Sequence, residues 1–119
     1  MLKTKSLQAV KKNSDGLRIC VMRRIKSEYD FDIWCPRFAP SEHLLQAYVI
    51  NQEISWEKFQ VLFKKELAKN KLFLKLISKA AMYQNITLLC LEDIPDYCHR
   101  SLVAQACSRI NPELKLILK

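Results

Sequence analysis

No apolar run in the chain approaches the roughly 18 to 20 residues that crossing a bilayer requires. The opening Met1-Leu2-Lys3-Thr4-Lys5 alternates polar and apolar residues where a signal peptide would build an apolar core. Both absences point to a cytoplasmic chain with no membrane partner. Glycine is almost missing as well: Gly16 is the only one in 119 residues, so Asp15-Gly16 is the strongest turn signal available. Cysteine occurs five times, but not in the usual patterns. The number is odd, Cys20, Cys90 and Cys107 sit inside apolar segments, and a reducing compartment keeps thiols free, so no disulfide framework is expected. A C-x₂₋₄-C hook of the kind that opens a structural zinc site is also lacking. Besides Cys98 and His99, the plausible ligands are Cys35, His43 and Cys90. Neighbours on a helix point about 100° apart, which makes joint chelation by Cys98 and His99 awkward. Neither a metal nor a cofactor is expected.

Half of the residues are apolar, enough at this length to bury a core without crosslinks, and residues 1–119 are expected to form a single domain. The net charge of +8 is banded. Residues 1–26 hold Lys3, Lys5, Lys11, Lys12, Arg18, Arg23, Arg24 and Lys26 against one acid, Asp15. Residues 28–57 hold six acids against Arg37, and residues 58–79 seven lysines against Glu66. A basic band can be a footprint for nucleic acid. The lysines of 58–79 also fit the solvated face of ordinary helices.

Residues 17–22, Leu-Arg-Ile-Cys-Val-Met, read as a strand after the Asp15-Gly16 turn, and residues 2–10 alternate weakly enough to pair across it as an N-terminal β-hairpin. Ser41 is placed to cap a short helix over Glu42–Tyr48. Ser55 caps the next, whose apolar positions Trp56, Phe59, Leu62, Phe63 and Leu67 keep helical spacing to about residue 68. Asn70 separates it from a third helix over 71–83, with Phe73, Leu76, Ile77, Ala80 and Tyr83 as its core stripe. Ile86-Thr87-Leu88-Leu89-Cys90-Leu91 is the continuous apolar run of a strand covered on both faces. A helix to about Arg109 and a strand over Leu114–Leu118 complete a strand–helix–strand crossover. The expected fold class is α/β, a three-layer-type domain with a small, mostly parallel sheet flanked by about four helices.

In open parallel sheets, ligands bind beyond the carboxyl ends of the strands, where the next helix presents free N–H groups. That place is Glu92 through Arg100. With Asp96 as N-cap, Cys98 falls near N2 and His99 near N3, where the helix terminus lowers a thiol pKa. Two readings follow. Cys98 is a nucleophilic or redox thiol, with Glu92 or His99 moving protons. Otherwise the helix terminus and Arg100 hold a phosphate or carboxylate while Cys98 packs alongside. The bland alternative makes Cys98 a buried helix residue, His99 a surface residue and Arg100 an ion-pair partner of Glu92, Asp93 or Asp96.

The segment LLCLEDIPDYCHRSLVAQ, Leu88 to Gln105, resembles the motif of domain-of-unknown-function family 488, the small YeaO-like group. There an apolar strand ends in Cys-x-Glu, and Cys-His-Arg-Ser opens the next helix. DGLRICVMRR, Asp15 to Arg24, resembles its first strand with trailing arginines. YDFDIWCPRFAPSEHLLQAY, Tyr29 to Tyr48, and EISWEKFQVLFKKEL, Glu53 to Leu67, resemble its Trp and Ala-Pro-Ser block and its Trp-containing helix. The resemblance implies an intracellular α/β protein without an established activity, whose recurring polar positions fall on Arg23, Arg24, Asp32, Trp34, Ser41, Glu92, Cys98, His99 and Arg100. Members often carry Trp-Pro-Arg-Gly after the first arginine. Here Ile25-Lys26-Ser27-Glu28 follows Arg24, so a glycine loop that cradles phosphate closely is missing. The resulting expectation is a small-molecule or anion site, phosphate- or nucleotide-like, with Cys98, His99 and Glu92 as catalytic candidates and Arg100, Arg23, Arg24 and Ser41 as anion contacts. The alternative is nucleic-acid binding through the basic band and the lysine-rich helices. It lacks a recognisable motif, and the aromatic residues lie at core spacing rather than among the basic ones.

Overall fold

The computed structural model describes residues 1–25, 28–91 and 98–119. Five strands, β1 (Leu2–Ser6), β2 (Leu17–Cys20), β3 (Ile33–Trp34), β4 (Ile86–Cys90) and β5 (Leu116–Leu118), form one sheet in the order β3-β2-β4-β1-β5. Every pairing is parallel. The helices are α1 (Glu42–Leu45), α2 (Trp56–Ala68), α3 (Lys71–Ala80) and α4 (His99–Ile110). The α/β architecture, the buried strand at 86–90 and the final strand–helix–strand unit are as the sequence indicates. β3, two residues long, carries too little pattern to be seen in advance.

The N-terminal hairpin does not form. Leu2 pairs with Ile86 on one side of β4 and Leu17 with the same residue on the other, so β1 and β2 run parallel with β4 between them. A tight turn cannot join parallel strands. The segment between them instead returns across the sheet and ends in a short 3-10 turn, Asn13–Asp15.

Strand alternation divides the sheet into two faces. Leu2, Ile19, Ile86 and Leu88 point into the main core, together with Leu44 of α1, Phe59, Phe63 and Leu67 of α2, Leu74 of α3 and Leu102, Val103 and Cys107 of α4. All four helices among the described residues therefore pack on this side. Cys20 and Leu89 face the other way, onto Leu7 with Met22, Ile25, Tyr29 and Phe31, so the third layer is irregular chain rather than helix.

Helix starts follow the capping residues. The Ser41 and Ser55 hydroxyls accept from the backbone N–H of Leu44 and Lys58. α1 is shorter than its pattern suggests, because after Leu45 the chain widens into a π-helical turn, Gln46–Ile50. α3 is partly rotated from its expected phase. Ile77 and Ala80 pack against the core as expected, but its buried positions are Leu74 and Ser78, and Phe73, Leu76 and Tyr83 are 38%, 56% and 83% exposed. The small Ser78 allows α3 to approach α4 closely, and its hydroxyl donates to Leu74 O (2.7 Å) and reaches Cys107 O (3.2 Å). Phe73 instead lies beneath the Arg37 guanidinium, 4.0 Å from the ring centroid.

A buried ionic cluster fastens the return segment to the second face. Asp15 accepts from Lys5 Nζ (2.9 Å), Arg18 Nη1 (2.6 Å) and the Lys12 N–H (3.1 Å), while its carbonyl accepts from the Thr87 hydroxyl (2.6 Å). Gly16 follows with φ +65°, and a Cβ there would stand 2.0 Å from the Asn85 carbonyl oxygen. Gly16→Ala is therefore expected to lower stability by about 2 kcal/mol or more in urea denaturation, from the positive φ and the clash together.

Burial opposes the Asp15 carboxylate and is the largest single influence on it. The hydrogen bonds from Lys5, the Lys12 N–H and Arg18 together outweigh it and hold the pKa below the usual 3.8. Because the folded value is the lower one, the stabilisation is complete above the unfolded pKa and is lost as pH falls through the folded one. Stability is expected to drop with acid below about pH 4, and Asp15→Asn to flatten that part of the profile. The same change should cost about 3 kcal/mol at neutral pH, because it leaves buried cations unneutralised. Denaturation midpoints measured across pH for both proteins check this.

Candidate functional site

Since every strand is parallel, the carboxyl ends converge on one edge. There β2 runs into Val21-Met22-Arg23-Arg24, β4 ends at Cys90, and α4 begins at His99. The helix starts later than expected: its N-cap is Cys98, with extended backbone (φ −118°, ψ 138°), so His99 and Arg100 are the first two helical residues. Ser101 closes the first turn, its N–H (3.2 Å) and hydroxyl (2.7 Å) both donating to the Cys98 carbonyl. Asp96, the expected cap, and Glu92, a catalytic candidate, lie outside the described residues, as do Asp93 and Lys26.

The later start changes where Cys98 and His99 point. The 100° divergence of helical neighbours does not apply to an extended N-cap, and both side chains reach the end of β4. Cys90 Sγ is 3.9 Å from His99 Nδ1, and with the Cys98 sulfur the three atoms all lie within 4.8 Å of one another. His99 Nε2 is 2.6 Å from the Val21 carbonyl oxygen, which can only accept. In the neutral ring the proton therefore sits on Nε2, and the bare Nδ1 faces the sulfurs. Phe63 meets the imidazole edge-on (centroids 5.6 Å, 87°) and fixes its plane. Cys98 and Cys90 are buried and His99 is half-buried. Burial pushes the thiols of Cys20, Cys35 and Cys107 up, keeping these three neutral.

A cleft of about 110 Å³ opens onto Cys90 and His99. Met22, Pro40, Leu45, Tyr48, Val49 and Phe59 make it largely apolar, and Arg23 and Arg24 border it. The Tyr48 ring lies tilted against Phe59 (4.6 Å between centroids, 32°), and Phe59 stacks on Trp56 (5.3 Å). In the sequence Cys90 reads as an apolar strand residue, one of the plausible ligands and the cysteine of the Cys-x-Glu strand end, and that motif is the signal available for it. Phe59 carries helical spacing and reads as core, which it is, and Tyr48 packs partly buried against that core.

The expected anion contacts do not converge on this cleft as a set. Arg100 is fully buried within α4, and its Nη2 donates to the Lys119 main-chain oxygen (2.9 Å). Arg23 donates through Nε to Pro40 O (2.9 Å) and through Nη2 to Ala39 O (3.3 Å), fixing the segment before α1. Arg24 forms an exposed two-point pair with Glu42 (2.6 and 3.1 Å). Ser41, besides capping α1, donates its hydroxyl to Glu66 (2.6 Å). Much of the N-terminal basic band is likewise engaged inside the chain: Lys5 and Arg18 hold Asp15, Lys3 donates to Ser14 O, and Lys11 pairs with Asp30. A larger groove of about 480 Å³ between α2, α3 and α4 is rimmed by Lys64, Lys71, Lys75 and Arg109, with no cysteine, histidine or carboxylate in its lining.

The fold and this edge define a parallel α/β protein with a cysteine–histidine cluster beside a small cleft. The family model described as DUF488-N3a, the active DUF488-N3 subclade, matches residues 2–109, and the chain belongs to that family. No curated protein and no solved structure matches it.

Arg100→Ala is expected to behave as a core mutation, lowering stability by about 3 kcal/mol through lost packing and a lost buried hydrogen bond. Ser41→Ala should cost about 1–2 kcal/mol by removing a cap. Arg24→Ala should leave the denaturation midpoint essentially unchanged, as an exposed pair contributes little. Urea denaturation of the three variants separates structural arginine from surface arginine.

Proposed function

We propose that the chain binds a small polar ligand in the cleft at the carboxyl edge of the sheet and acts on it through the Cys90, Cys98 and His99 group. The observation that carries this reading is the cleft's opening onto Cys90 and His99, with the Cys98 sulfur within 4.8 Å of both ligating atoms. The description of the family as an active subclade supports a chemical role.

Size narrows the ligand class. At about 110 Å³ the cleft falls well below the roughly 300–1,000 Å³ of pockets for drug-sized molecules, so it accepts a group of a few atoms, such as a carboxylate or phosphoryl end, rather than a whole nucleotide. Of the bordering cations, Arg24 is the one that can turn to a ligand, since its partner Glu42 is an exposed side chain; Arg23 is committed to two carbonyls. Tyr48 and Phe59 supply an apolar wall against which a short organic ligand packs.

Titration of acetate and inorganic phosphate into isotope-labelled protein, read by amide shifts, tests the reading. Shifts are expected at Met22, Arg24, Tyr48, Val49 and His99, with binding about tenfold weaker in Arg24→Gln. Shifts confined to the lysine-rimmed groove between α2 and α3, or an Arg24→Gln variant binding as tightly as wild type, overturn it. Cys98→Ser should retain the anion shifts while removing any turnover, which separates a binding role from a chemical role for the sulfur.

A further inference from the structure

We propose that Cys90, Cys98 and His99 form a three-ligand zinc site whose fourth position opens to the cleft. The role of that fourth position rests on the ligand-binding reading above; the metal site itself does not. Zn–S bonds of about 2.3 Å and Zn–N bonds of about 2.0 Å around a tetrahedral ion put sulfur and nitrogen about 3.5 Å apart and the two sulfurs about 3.8 Å apart. The Cys90 Sγ to His99 Nδ1 distance of 3.9 Å is within a few tenths of an ångström of that, and all three atoms fall within 4.8 Å of one another. Small side-chain rotations close the difference.

The imidazole gives an independent argument. A ligating histidine characteristically donates its other ring N–H to a carbonyl or carboxylate, which fixes the tautomer and aims the lone pair. His99 has this arrangement: Nε2 is held 2.6 Å from Val21 O, and Nδ1 faces the sulfurs. The orienting carbonyl comes from the chain just after β2, one sulfur from the end of β4 and the other from the N-cap of α4. Three elements brought together by the sheet thus contribute to one point.

Charge and donor type select the ion. Two thiolates and a neutral imidazole are soft and borderline donors suited to zinc, unlike the oxygen sets that hold magnesium or calcium. Binding releases both thiol protons to solvent and leaves a complex of zero net charge, which a buried position tolerates far better than a bare ion or two bare thiolates. Among the described residues the site offers three protein ligands, and three ligands with a fourth position left for water or substrate is the pattern of a catalytic zinc. An ion there would polarise a carbonyl, carboxylate or phosphoryl oxygen entering the cleft.

The test uses the metal alone. Protein stripped with chelator under reducing conditions is titrated with cobalt(II), then with zinc(II). The expected result is one equivalent of cobalt bound with sulfur-to-cobalt charge-transfer absorption and intense visible bands of a tetrahedral ion, both removed by zinc. Cys98→Ser and His99→Ala should each weaken binding by at least about tenfold, while Cys35→Ser leaves it unchanged. Absence of the charge-transfer band in wild-type protein overturns the proposal whatever the variants do, as does a band that survives Cys98→Ser and His99→Ala in folded protein. So does a Cys90–Cys98 disulfide as the resting state, seen as two missing thiols before reduction. Acetate or phosphate shifts at the cleft without cobalt binding would sink the zinc site and leave the ligand reading standing; cobalt binding without those shifts would do the reverse.

Discussion

Parallel pairing of β4 on both of its edges is the constraint from which the rest of the structure follows. All five residues of this strand are buried, and every main-chain group must find a partner in β1 or β2. Because both partners run in the same direction, none of the connections can be a tight turn. Each must cross the sheet, and all four helices do so on the same side. The second face is left to irregular chain, so the buried Asp15 cluster becomes necessary: without a helix to supply apolar cover, charged groups near the sheet must satisfy each other. The same parallel arrangement sends all the strand ends to one edge, where Cys90, the carbonyl of Val21 and the start of α4 meet.

Three side chains at that edge differ from their surroundings in kind. Elsewhere the buried thiols are isolated and held neutral by burial, as at Cys20 and Cys107. At the end of β4 two sulfurs and an imidazole nitrogen face one another, and a main-chain carbonyl orients the ring. Arg100, which adjoins them in sequence, turns into the core and steadies the chain near Lys119. The Cys-His-Arg triplet thus divides: Cys98 and His99 turn to the end of β4, and Arg100 turns into the core.

Much of the architecture was legible because it rests on patterns of adequate length. The unbroken apolar run at 86–91, the caps Ser41 and Ser55 and the periodicity of Trp56 to Leu67 each identified an element of the right type. What was not legible depended on partners distant in sequence. The two N-terminal strands looked like a hairpin because the turn signal was local and the intervening strand lies some seventy residues away. The phase of α3 was misjudged because side-chain size, not hydrophobicity, decides which face approaches α4; Ser78 is buried and Leu76 is not. At the end of β4, a helical backbone expected at Cys98 separates the side chains of Cys98 and His99, whereas the extended cap brings them together. The intramolecular partners of the arginines are likewise not legible, because a sequence shows charge without showing the carbonyls and carboxylates that meet it, as at Arg23 with Pro40 and Arg24 with Glu42.

The π-helical turn after α1 adds a consequence for how such a protein can diversify. A π turn holds one residue more than the α turn it replaces, and this one carries Tyr48 and Val49 into the cleft wall. Deleting a single residue there would restore the α-helical repeat and swing the following side chains by about 100°. That would exchange the side chains lining the cleft without disturbing β4, α4 or the cysteine–histidine cluster. The cleft wall and the cluster are therefore encoded in separable parts of the chain, so a one-residue length change can reshape the first while leaving the second intact.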